Sequence, residues 1–110
     1  MQIDKTDLGN AVTRLKLTGR LDINGAAMVE IPISLAAKNC QRLVIDMSDV
    51  SYVSSLGVRH FVMAAKMLGR TGGKLVLFDV TEPVAEVLTT MGIIDIIPLA
   101  ASESAALALA

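Results

Sequence analysis

Between Arg42 and Leu68 the hydrophobic pattern changes period once, and the change falls on a pair of serines. Arg42-Leu43-Val44-Ile45-Asp46-Met47 is a short apolar run rich in branched residues, the pattern of a strand covered on both faces. Then comes Ser51-Tyr52-Val53-Ser54-Ser55-Leu56-Gly57-Val58-Arg59. Beyond its serines, apolar residues return at helical spacing, at Val58, Phe61 or Val62, Ala65 and Leu68. The joint between strand and helix therefore carries Ser54 and Ser55. One of them is expected as the N-cap, its oxygen accepting a first-turn N–H that no carbonyl reaches.

The rest of the chain extends this unit in both directions. Met1–Lys5 reads as a first strand, and Asp7-Leu8-Gly9-Asn10 as a turn, because Gly and Asn tolerate positive φ. Ala11–Thr18 alternates, with Thr13, Leu15 and Leu17 on one face and Arg14 and Lys16 on the other. The first two strands are thus expected as an antiparallel hairpin with one wet face, followed by an exit loop over Gly19–Asp22. A first helix is expected from an Asn24 cap to about Lys38, kinked or broken near Glu30–Pro32. An interior proline removes one helical hydrogen bond and clashes with the preceding turn, at ~3 kcal/mol.

The second helix is expected over Ser55–Leu68, stopped by Gly69 and the Gly72-Gly73 pair, with a buried strand over Lys74–Phe78. Thr81 is expected to cap a third helix, with Glu82 and Pro83 early in it and Gly92 at its end. Ile93–Ile97 reads as strand-like or extended. Ser102 can open a last helix through Ala110, but Leu107 and Leu109 make no helical stripe, so weak docking is expected. Repeated strand–helix units imply parallel neighbours with right-handed crossovers, their helices on one side. The expected fold is α/β, a mixed four- to five-stranded sheet with helices mainly on one face, in one domain over residues 1–110.

Composition removes several functions. Hydrophobic residues make up 53% of the chain and aromatics only 3%, so the core must be built from Val, Leu, Ile, Met and Ala. The formal charge is −1 and no basic cluster occurs, which argues against nucleic acid as a partner. Cys40 is the only cysteine and His60 the only histidine, too few for an internal disulfide or a zinc site, and no cofactor is expected. Ser55 and His60 lie five residues apart, ~140° around a helix axis, so they cannot act as a nucleophile–base pair, and no enzyme is expected. Met1–Asp7 is too polar for a signal core, and no apolar run approaches the ~20 residues that span a membrane. A cytoplasmic protein without membrane insertion is expected.

Five segments in order resemble the STAS family, the bacterial anti-sigma factor antagonists and their relatives. They are Thr18-Gly19-Arg20-Leu21-Asp22, Leu43 to Val50, Tyr52-Val53-Ser54-Ser55-Leu56-Gly57-Val58, Gly72 to Leu77, and Val87 to Ile93. In antagonists of this family the joint usually reads aromatic, aliphatic, Asp, Ser, Ser or Thr, Gly, aliphatic. The serine after the Asp is the one that a partner kinase phosphorylates. Aligning Gly57 with the family glycine puts the acceptor on Ser55, with Ser54 in the Asp position and Leu56 in the second Ser/Thr position. The resemblance also places Asp22 near the acceptor.

The implied function is a partner switch. The unmodified chain binds a kinase-type anti-sigma factor, the kinase phosphorylates Ser55 and ends the contact, and a PP2C-type serine phosphatase resets it. A helix N-terminus tolerates the added dianion, so the effect should fall on the partner and spare the fold. The expected partner-binding residues are Asp22, Ser54, Leu56, Gly57, Arg59 and Met63. On the second helix Leu56, Arg59, His60, Met63 and Met67 share a stripe, in which Met63 and Met67 are either core or an adaptable contact face. The alternative function is a STAS accessory subunit of an ABC-type transporter.

Overall fold

The computed structural model of residues 1–110 contains one five-stranded sheet in the order β1-β2-β3-β4-β5. β1 (Gln2–Gly9) and β2 (Val12–Leu21) form the expected antiparallel hairpin. β3 (Arg42–Val53), β4 (Lys74–Phe78) and β5 (Leu99–Ala100) then add in parallel. The crossovers are α1 (Ile23–Asn39), α2 (Ser55–Gly69) and α3 (Glu82–Thr90), with α4 (Glu103–Leu109) at the end. This is the predicted mixed sheet, with its fifth strand supplied by Leu99–Ala100.

Alternation along the strands divides the core. Leu15, Leu17, Leu43, Ile45, Leu75 and Leu77 join Val29, Ile33, Phe61, Leu68 and Leu88 of the three crossover helices in one cluster. The intervening residues Val44, Val76 and Phe78 pack with Ala100 and Ala106 in a second, smaller cluster. α4 therefore covers the opposite side of the sheet. Its docking is firmer than Leu107 and Leu109 suggest, because Ala106 is fully buried and Glu103 accepts from Arg14 at 2.7 Å. Ser102 caps it as expected, accepting from the Ala105 N–H.

Several expectations need correction. α1 runs unbroken through Pro32. Ala26, Val29, Ile33, Ala36 and Ala37 stay buried on both sides of the proline, and packing of that stripe outweighs the lost bond. Its N-cap is Asp22, two residues before Asn24. β1 runs on past Lys5 to Gly9, and β2 extends past Thr18 to Leu21. β3 runs on past Asp46 to Val53, and the pairing register shifts twice, between Lys16 and Thr18 and between Gly19 and Arg20 of β2. At each shift β3 carries one extra residue, a bulge. The bulges change the burial pattern of β3 so that Met47, Val50 and Val53 are inward, three apart. Ile93–Asp95 forms a 3₁₀ turn in place of a strand, entered through Gly92 at φ 73°. Thr81 stands at the N-cap of α3 without a cap bond, its hydroxyl instead donating to the Val50 carbonyl.

Candidate functional site

The C-terminal end of β2 is the anchor on which two helices start. At α1, Asp22 Oδ1 accepts from the Gly25 N–H at 2.9 Å. At α2, Ser54 Oγ accepts from the Gly57 N–H at 3.2 Å. Both starts read cap-x-x-Gly, and each glycine lies against the last residues of β2. A Cβ on Gly25 would run into the Arg20 carbonyl oxygen, and one on Gly57 would stand 2.5 Å from Leu21 Cγ. The Ser54 N–H closes the arrangement by donating to the Leu21 carbonyl at 2.8 Å. Glycine is thus required at both positions for close approach of helix and strand.

The structure decides between the two serines as cap. Ser54 is the N-cap, half-buried, and Ser55 is the first helical residue, exposed to solvent. Ser54→Ala should therefore cost about 1 kcal/mol in chemical denaturation, and Ser55→Ala only a few tenths. An equal loss in both variants would mean that the cap is shared.

Beside the caps, Arg20, Asp22, Ile23, Asn24, Tyr52 and Ser54 line a shallow depression. Arg20 pairs with Tyr52 in the β2–β3 ladder, and its guanidinium lies 4.6 Å from the ring centroid. Its Nε stands 3.9 Å from Asp22 Oδ2. Ile23 on the rim is 72% exposed, and Leu56 on the first turn of α2 is 40% exposed. Both residues lie within two positions of a helix N-cap and leave large apolar side chains open to solvent.

The predicted residues therefore fall into three places. Asp22 and Ser54 share the depression. Leu56 and Arg59 are exposed along α2, while Gly57 is buried behind them against Leu21. Met63 stands further along, over half exposed, in a groove between α1 and α2 that Glu30, Ile31, His60 and Met67 also line. Met67 is partly core, and His60 turns inward, its Nδ1 4.0 Å from Glu30 Oε2. Cys40 behaves as a half-buried small hydrophobe whose thiol pKa burial pushes up. Sequence reasoning gave no site role to Arg20, Tyr52 or Ile23, and read Asn24 only as a helix cap. The repeated cap-x-x-Gly spacing was the available signal that two helix starts meet here.

An antiparallel hairpin feeding a parallel sheet, with two capped helix starts pressed on the end of its second strand, is a STAS fold. The STAS-domain model matches residues 2–106, and the chain belongs to that family. Within it the chain belongs with the anti-sigma factor antagonists. It is 36% identical over 89 residues to BtrV of Bordetella bronchiseptica, assigned as an anti-sigma factor antagonist, covering 78% of this chain and 77% of that one. It is 30% identical over 88 residues to the anti-sigma-B factor antagonist of Bacillus subtilis, covering 80% and 81%. The fold matches the antagonist SpoIIAA in its unphosphorylated form with a TM-score of 0.82 at 18% identity, covering 96% and 93%. The phosphorylated form of the Bacillus protein gives 0.75 at 17% identity, covering 98% of both chains. The chain is accordingly a non-catalytic regulatory module. No helix is long and apolar enough to cross a membrane.

Proposed function

We propose that residues 1–110 act as one domain in the cytoplasm, as an anti-sigma factor antagonist controlled by phosphorylation of Ser55. The observation that carries this reading is the division of labour between the serines. Ser54 closes the cap, while Ser55 stands exposed on the first turn beside the Asp22 depression. The unmodified surface binds a kinase-type anti-sigma factor. In the kinase step, Ser55 Oγ bonds to the γ-phosphorus of ATP, the bond to ADP breaks, and the hydroxyl proton leaves to the kinase's base or solvent. The phosphoserine then carries close to two negative charges, placed where an apolar and charged partner face must approach. A PP2C-type phosphatase restores the hydroxyl by adding water across the Oγ–P bond and releasing inorganic phosphate.

The SpoIIAA likeness supports this reading, since that antagonist exists in both states on one fold. The contact surface comprises Asp22, Ser54, Leu56, Arg59 and Met63, with Gly57 setting the position of the helix that carries them. Calorimetric titration of a purified histidine-kinase-like ATPase with the unmodified chain and with the phosphorylated chain tests the function. The unmodified chain should bind and the phosphorylated chain should not. Binding that ignores the phosphate would sink the switch and favour the transporter-subunit alternative.

Arg59 gives a separate prediction. Its side chain is exposed and forms none of the chain's ion pairs. Arg59→Glu should weaken partner binding roughly tenfold at low salt while moving stability by less than ~0.5 kcal/mol. Equal losses in binding and in thermal stability would make Arg59 structural.

A further inference from the structure

Arg20 is the only cation lining the depression beside the serines. It is 62% exposed at its side chain, held by a ring face and a long contact to Asp22, so nothing locks it in place. Its chain neighbour Leu21 accepts the backbone bond from Ser54, which puts the base of Arg20 next to the serine pair. Asp22 lines the depression together with Ser54, the chain neighbour of Ser55, so a dianion on Ser55 adds negative charge on the side of the fold that carries this carboxylate, a charge that a mobile guanidinium relieves. Arg–phosphate contacts are bidentate and charge-assisted, and they outcompete a solvent-exposed cation–π contact.

We propose that Arg20 is the internal sensor of the phosphate: it rests on Tyr52 in the unmodified chain and moves to the phosphate when Ser55 is modified. The inference rests on the reading of Ser55 as the acceptor. Phosphorylation then changes the partner surface twice. It adds charge at the start of α2, and it strips the Arg20 cation from Tyr52, which is itself 42% exposed. Arg20 is a positioning residue in this scheme, and its effect is transmitted through Tyr52 and Asp22.

Tyr52 is the only tyrosine and the chain has no tryptophan, so its emission reports this contact alone, and its ring protons need separating only from those of Phe61, Phe78 and His60. The test uses the full chain with phosphoserine built in at position 55 during synthesis, beside the same chain with serine. In the parent, phosphoserine should change the Tyr52 signals. Arg20→Ala should show altered Tyr52 signals from the outset and no further change with phosphoserine. In the same variant the ³¹P titration midpoint of the phosphoserine should move up, and the ratio of partner affinities, unmodified over phosphorylated, should fall roughly tenfold. Tyr52 signals that ignore the phosphate, or that respond equally in Arg20→Ala, would overturn the proposal. Because the phosphate is installed, such a failure is distinct from a failure of kinases to modify Ser55.

Discussion

Ser55→Asp should fold like the parent and bind the anti-sigma kinase poorly, and Ser55→Ala should bind it while taking no phosphate. The first half follows from position. Ser55 is exposed on the first turn of α2, where an added negative charge meets the positive end of the helix dipole. The fold should gain or lose no more than ~1 kcal/mol from it. The binding loss falls on the partner, which must desolvate against a charge in the middle of the contact. A single carboxylate imitates a phosphate only in part, so Ser55→Asp should bind more weakly than the parent yet better than the phosphorylated chain. Thermal unfolding and titration of the same samples separate the two effects. A Ser55→Asp chain that binds at parental strength would remove charge as the releasing agent.

Gly57→Ala should be the most damaging small substitution near the site. Replacing glycine by alanine within a helix ordinarily stabilises by roughly 1 kcal/mol. Here the new methyl would lie 2.5 Å from Leu21 Cγ and 2.7 Å from Cδ2, and Leu21 is fully buried. Neither side chain has room to turn away, so overpacking should cost ~1–3 kcal/mol and displace the start of α2. Because Ser54, Ser55 and Leu56 ride on that turn, partner binding should fall with stability. A Gly57→Ala chain as stable as the parent would show that α2 shifts freely on β2, and the rigid placement of Ser55 would be lost from the account. The contrast with Gly69 is direct: a Cβ there meets nothing within 4 Å, so Gly69→Ala should be harmless.

The same geometry explains what the sequence made legible and what it hid. The parallel core was readable because Leu43 to Ile45 and Leu75 to Phe78 are short apolar runs between helical patterns. The joint was readable as a joint, but periodicity could not choose between Ser54 and Ser55 as cap, because both are serine, a good capping residue. The far end of β3 was hidden by its bulges, which replace a two-residue alternation with inward residues three apart. Pro32 misled because propensity is local, while the stripe from Val29 to Ala37 is held by packing against the sheet. Asp22 was legible as a site residue only through the family resemblance, while the spacing gave the cap of α1 to Asn24, two residues past the residue that forms it. Arg20 and Tyr52 stayed silent because their contact exists only through the ladder that pairs them across 32 residues. Leu99–Ala100 was hidden because a strand of two residues leaves no pattern.

Ser55, one residue past the cap, is the residue proposed to take the phosphate. The most direct test is site-resolved mass spectrometry of the chain after incubation with its kinase partner and ATP, in the parent and in Ser54→Ala and Ser55→Ala. A single phosphate is expected on Ser55, retained in Ser54→Ala and absent in Ser55→Ala. A phosphate on Ser54 that survives in Ser55→Ala would contradict that assignment.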